Sequence, residues 1–176
     1  MTIDEQYQTE LAQSERDHHT PTAGAMVGHI LANLKIHRNK LSQGAYFVSG
    51  DRGPLVRRFF QGLALEEDRQ FDRLAELMLD EHEVIPTTSA EFTRYSMIEE
   101  SGKFKYESAP AMLEAAGKDF DTQLLFLTRG IKLAEQEGAF PLQHFLIGLQ
   151  GWMNHQNRLI HAYTGTKFET AADEED

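Results

Sequence analysis

Apolar residues recur along this chain at spacings of three and four, the rhythm that puts side chains on one face of an α-helix, and no segment shows convincing period-two alternation. From Ala23 to Phe47 the stripe is Val27, Ile30, Leu34, His37 and Leu41. After the turn cluster SGDRGP at 49–54, a second stripe of Phe60, Leu63, Glu67, Phe71, Leu74 and Met78 predicts a helix to about His82. Pro86 closes it, and Thr88 with Glu91 three residues on is a capping-box pattern for a short helix through about Tyr95. The stretch SGKFKYESAP reads as polar and irregular. Ser108 and Pro110 then open a third stripe of Leu113, Ala116, Phe120, Leu124, Leu127, Ile131 and Ala134, which Gly138 ends. Pro141 starts a fourth, with Leu142, Phe145, Leu149, Trp152, Gln156, Leu159 and Tyr163 before Gly165. A short polar helix over 3–15 precedes all four, separated from them by the run DHHTPTAG.

Connection lengths turn these helices into an architecture. The first and second, and the third and fourth, are joined by a few residues, whereas about 25 separate the second from the third, and one long crossover is the arrangement of ferritin-like folds. The expected fold is all-α: a ferritin-like four-helix bundle over 23–165 with a short helix in its crossover, an N-terminal appendage with a short helix over 1–22, and an acidic disordered tail over 166–176.

Composition narrows the chemistry. A chain of 176 residues is the size of one domain, and the absence of cysteine leaves histidine, carboxylate and water as metal ligands. The net charge is −11, with five acids against one basic residue in both 1–19 and 166–176. Tails of that sign repel a phosphate backbone and attract metal cations. The N-terminus lacks a basic region followed by an apolar run, and no apolar stretch approaches the ~20 residues that span a bilayer, so the expectation is a cytoplasmic protein with no membrane partner. Phosphate-binding glycine patterns, a nucleophile elbow and His-Glu-x-x-His are all missing.

The informative positions are polar residues inside apolar stripes, because a buried polar group needs a partner. His37, Glu67 and Gln156 interrupt three stripes and are expected at similar height in the bundle. They form a metal site built on His37 and Glu67, or a metal-free hydrogen-bonded network, or a stripe is rotated so that one of them reaches solvent. Asp72 and Glu76 lie four apart on one helix face, as ligands of a hard cation do, or as a solvated pair neutralised by Arg69 and Arg73. His18 and His19 beside Asp17 make a third cluster, with Glu15 and His18 the chain's one Glu-x-x-His, read as a peripheral cation site or as a chance grouping at a cap.

The segments KLSQGAYFVSG and RRFFQGLALEEDRQFDRLAELMLDEHEVIPTTSAEF resemble the Dps family, the small ferritin-like proteins of starved cells, and element order and length extend the likeness over about 23–165. The resemblance implies a hollow dodecamer of identical chains that takes up ferrous iron, oxidises it and stores the mineral, with iron (Fe2+/Fe3+) or another divalent metal as cargo, and often binds DNA. It implies a ferroxidase site between two subunits, two His and an Asp from one and an Asp-x-x-x-Glu pair from the other. Asp72 and Glu76 match that pair. Where the family has His-Trp this chain has Tyr46-Phe47, and its second His and Asp fall at about Arg57 and Gln61. The expectation is therefore a non-standard or weakened centre, with His37 and Glu67 a partial substitute. Glu135 and Glu137 fall where the family gathers acids around three-fold pores, or are two solvated acids at a helix end. The function expected is iron storage and protection from oxidative stress. The alternative is a structural stress protein that shields DNA, associated with the nucleoid, without iron oxidation, although the acidic tails oppose DNA binding.

Overall fold

The computed structural model describes residues 1–165, the side chain of His18 excepted; the segment 166–176, expected as an acidic tail, lies outside the described residues. The elements are α1 (Ile3–His19), α2 (Ala23–Phe47), α3 (Gly53–Asp80), α4 (Ser89–Tyr95), a 3₁₀ turn (Gly102–Tyr106), α5 (Ala109–Glu137) and α6 (Phe140–Thr164), with no strand among the described residues. The four long helices, of 25, 28, 29 and 25 residues, pack as the hairpins α2–α3 and α5–α6, which meet through α2 and α5. The crossover lies against α2 through α4 and the 3₁₀ turn. This is the all-α, ferritin-like bundle that the connection lengths imply. No helix among the described residues is long and apolar enough to cross a membrane.

The helix ends follow local chemistry. Thr22 and Ser108 accept N–H bonds from Ala25 and Ala111, and Thr2 with Glu5 and Thr88 with Glu91 form complete capping boxes. Gly138 closes α5 in the left-handed conformation, φ +70°. Two ends differ from expectation. Helix α1 continues through His19, four residues beyond the predicted stop, and ends at Thr20, whose helical conformation Pro21 disfavours. Helix α3 ends at Asp80 because His82 is left-handed, φ +62°, and the Glu83 N–H reaches back to the Met78 carbonyl at 3.0 Å, closing the helix as a glycine usually would.

The apolar stripes of α2, α3 and α5 are buried largely as their periodicity predicts. On α6 the expected Leu142, Leu149 and Gln156 are buried together with Leu146, Met153 and Ile160, while Phe145, Trp152, Leu159 and Tyr163 are only half-buried. Each of Phe145, Trp152 and Leu159 has an apolar neighbour one residue on, so periodicity alone left the choice of column open. The stretch expected to be irregular carries a buried anchor, Phe104. It packs where α2 has Gly44, at which a Cβ would stand 2.7 Å from the Phe60 ring and 3.1 Å from Phe104. The crossover is also tied down by buried Asn33, whose Oδ1 accepts from the Met97 N–H at 2.8 Å and the Ser96 hydroxyl at 3.1 Å.

Candidate metal centres

In the bundle centre, α2 and α3 bring together His37 and Glu67, both without solvent exposure, with Nδ1 and Oε1 2.6 Å apart. The third residue is Gln123 of α5, whose Nε2 lies 3.0 Å from the same Nδ1. Gln156, expected as the partner, is buried on α6, but the contact to His37 comes from Gln123. Gln123 was legible in principle: it lies three residues after Phe120 and four before Leu127, inside the same stripe. One ring nitrogen serves one proton or one lone pair, so Nδ1 bonds to Glu67 or to Gln123 but not to both. Burial pushes the Glu67 carboxyl above its ordinary value, against the opposing pull of His37 and Gln123.

The far side of the ring is different. His37 Nε2 is buried without a hydrogen-bond partner and lies 3.8 Å from Asp119 Oδ2 of α5. Asp119 in turn holds the Lys40 ammonium at 2.6 Å, and Phe120 packs edge-on against the imidazole with centroids 4.9 Å apart.

Asp72 and Glu76 are exposed on α3, and they line an open groove with Asp80 of α3 and His144 of α6. Of the two arginines expected to neutralise them, Arg69 meets Glu66 at 3.5 Å, whereas Arg73, its guanidinium 5.5 Å from the Phe145 ring centre, lines the same groove as the two carboxylates. Among the described residues, no three His, Asp or Glu side chains converge to hold a metal ion. Tyr46, Phe47, Arg57 and Gln61 all lie on the surface, 70% and 52% exposed in the case of the two aromatics, and present no metal ligand.

The remaining expected sites separate. His19 is exposed, with Nε2 3.8 Å from Glu15 Oε1, so the Glu15 contact is with His19; the side chain of His18 lies outside the described residues. Glu135 and Glu137 are both exposed at the end of α5. Glu137 has a structural task that sequence reading missed: its Oε1 accepts the Ala23 N–H at 2.8 Å, satisfying one orphan donor at the start of α2. Nearby, a cavity of about 240 Å³ under α1 is lined by Asp17, His29, His82, Glu83 and Tyr95. Burial first, and then Asp17, Glu137 and Glu81, raise the Glu83 carboxyl.

Known proteins share this arrangement of helices. Residues 25–162 match the family model of the ferritin-like domain. The DpsB protein of Lactococcus lactis MG1363 is 37% identical, with a TM-score of 0.89 and 97% of each chain covered. The DpsA protein of the same organism is 36% identical, also at 0.89, over 94% of this chain and 98% of that one. Dps from Staphylococcus aureus, at 24% identity, a TM-score of 0.78 and coverage of 84% and 96%, shares the fold. The comparison with curated proteins returns no match. A ferritin-like domain over most of the chain, with two Dps proteins more than one-third identical over nearly its full length, makes this chain a member of the Dps family within the ferritin-like superfamily.

Proposed function

We propose that this protein binds ferrous iron and stores it as oxidised mineral inside a hollow homo-oligomer, a dodecamer on the family pattern, with an oxidation centre weaker than the family standard. The observation that carries this reading is the Asp72 and Glu76 pair, exposed on one face of α3 and lining one open groove. Two carboxylates are suitable hard ligands for Fe2+. Asp80 and His144 along the same groove add an oxygen and a nitrogen donor within the wider site. A second copy across the interface supplies no family histidines, since Tyr46, Phe47, Arg57 and Gln61 stand in their places. The centre thus holds iron through its acidic half, and oxidation is slow. Glu135 and Glu137 line the iron path at the three-fold pores under the same reading, and the site of action is the cytoplasm.

Aerobic addition of ferrous iron tests it. The expected result is a mineral core and oxidation above the buffer rate, both reduced by Asp72→Asn with Glu76→Gln; oxidation at the buffer rate with no core overturns it.

The missing interface ligands favour a second reading, an assembly that shields DNA without oxidising iron. A gel shift across salt concentrations decides it, and the acidic N-terminal segment predicts weak or absent binding.

A further inference from the structure

We propose that the acidic segment 166–176 docks onto the arginines at the start of α3 in its own chain and shields them from other polyanions. This contact is independent of where the protein holds iron.

In a chain of net charge −11, one end of the bundle is basic. Residues 48–65, the loop before α3 and its first turns, carry Arg52, Arg57 and Arg58 against Asp51 alone. Residues 152–165, the last turns of α6, carry Arg158, His155 and His161 and no acid. The four arginines are exposed, and none forms an ion pair among the described residues. Guanidinium groups without counter-ions are a ready surface for carboxylates.

The two elements meet at this end. The Arg52 guanidinium donates to the Tyr163 carbonyl at 2.9 Å, and the Phe59 and Tyr163 ring centres lie 4.9 Å apart. Segment 166–176 therefore leaves α6 beside Arg52. Gly165, left-handed at φ +77°, turns the chain away from the helix axis. The negative end of the α6 dipole repels the carboxylates that follow, while the positive end of α3 and its arginines attract them.

Leu55 and Arg58 follow Arg52 at steps of three, so the three share one side of α3, with Leu55 44% exposed between the two guanidinium groups. The segment offers the complementary order, Phe168 first and then Glu169, Asp173, Glu174, Glu175 and Asp176. Reach is ample. Arg52 and Arg58 are about 9 Å apart along the helix at about 1.5 Å per residue, whereas residues 166–172 extend to about 23 Å. Bare, this cluster attracts phosphate polymers; covered, it presents the surplus negative charge of the segment instead.

The chain has no cysteine, so one engineered pair reports the contact. Gly62 is exposed, one turn after Arg58, with open space where a Cβ would stand. In the whole assembled protein, Gly62→Cys with Ala172→Cys is expected to form a disulfide within one chain, seen as a faster band on a non-reducing denaturing gel. Adding Asp173→Asn, Glu174→Gln, Glu175→Gln and Asp176→Asn is expected to slow that crosslink at least about tenfold, because the ionic attraction is lost while the tether is unchanged. In cysteine-free protein the same four changes are expected to tighten binding of labelled inorganic polyphosphate at least about tenfold, read by fluorescence anisotropy, and Arg52→Gln with Arg58→Gln to remove the gain. Crosslinks that form only between chains, a crosslink rate indifferent to the four acids, no gain in polyphosphate binding, or a gain that survives loss of the two arginines each overturns the proposal.

Discussion

His37 Nδ1 and Glu67 Oε1 stand 2.6 Å apart on neighbouring helices, and neither side chain reaches solvent. Burial keeps the Glu67 carboxyl above its ordinary value of 4.5, so the folded chain retains this proton at pH values where the unfolded chain has lost it. The associated stability is complete below the ordinary glutamate value and is lost as pH rises through the raised one. Glu67→Gln removes this titration. In metal-free protein, the unfolding free energy of the wild type is therefore expected to fall relative to that of Glu67→Gln as pH rises above 4.5. Denaturant titrations at a series of pH values measure it, and curves that run parallel refute it. At low pH the variant itself costs about 1–2 kcal/mol, the usual price of a disturbed buried hydrogen bond.

Asp72 and Glu76 contribute charge to a groove and little to packing, since both are exposed. Replacing them with Asn and Gln is expected to leave the unfolding free energy within about 0.5 kcal/mol of the wild type. Iron retained per chain after gel filtration is expected to drop by about tenfold or more, as loss of direct ligands does at least what loss of supporting residues does. Unchanged iron retention assigns the metal to another place.

Glu137 and Glu135 divide by what they touch. Glu137→Ala removes the acceptor of the Ala23 N–H and is expected to cost about 0.5–2 kcal/mol, the range for lost helix N-caps. Glu135→Ala is expected to stay within about 0.5 kcal/mol of the wild type. Comparison of their unfolding midpoints checks this, and equal effects contradict it.

His82 occupies a left-handed position that glycine adopts without penalty. His82→Gly is expected to stabilise the chain by about 0.5–1 kcal/mol, after the larger entropy loss of glycine on folding is included. A lowered melting temperature runs against this account and points to a contact through the imidazole.

The long helices and their caps were legible in the sequence because they depend on short-range physics. Thr88, Ser108 and Gly138 act on backbone groups within a few residues, and the stripes from Val27 to Leu41 and from Leu113 to Ala134 declare their buried faces through spacing alone. His37 and Glu67 were legible for the same reason, as polar residues in apolar columns that had to find partners. The pairing of Asp72 with Glu76 on one face also follows from helical geometry.

Partner choice across helices was not legible. Gln123 rather than Gln156 meets His37, Asp119 and Lys40 meet beside Nε2, and Glu137 caps a helix more than one hundred residues before it in the chain. Periodicity fixes which way a side chain points around its own helix but says nothing about the rotation and height at which two helices dock. The apolar doublets of α6 show this plainly, since Leu146, Met153 and Ile160 reach the core only because of how α6 settles against α5. The sequence by itself therefore determined the helices, the crossover and the polar residues that must be satisfied. The tertiary structure decided which of them meet, because the packing of large and small side chains between helices sets those distances.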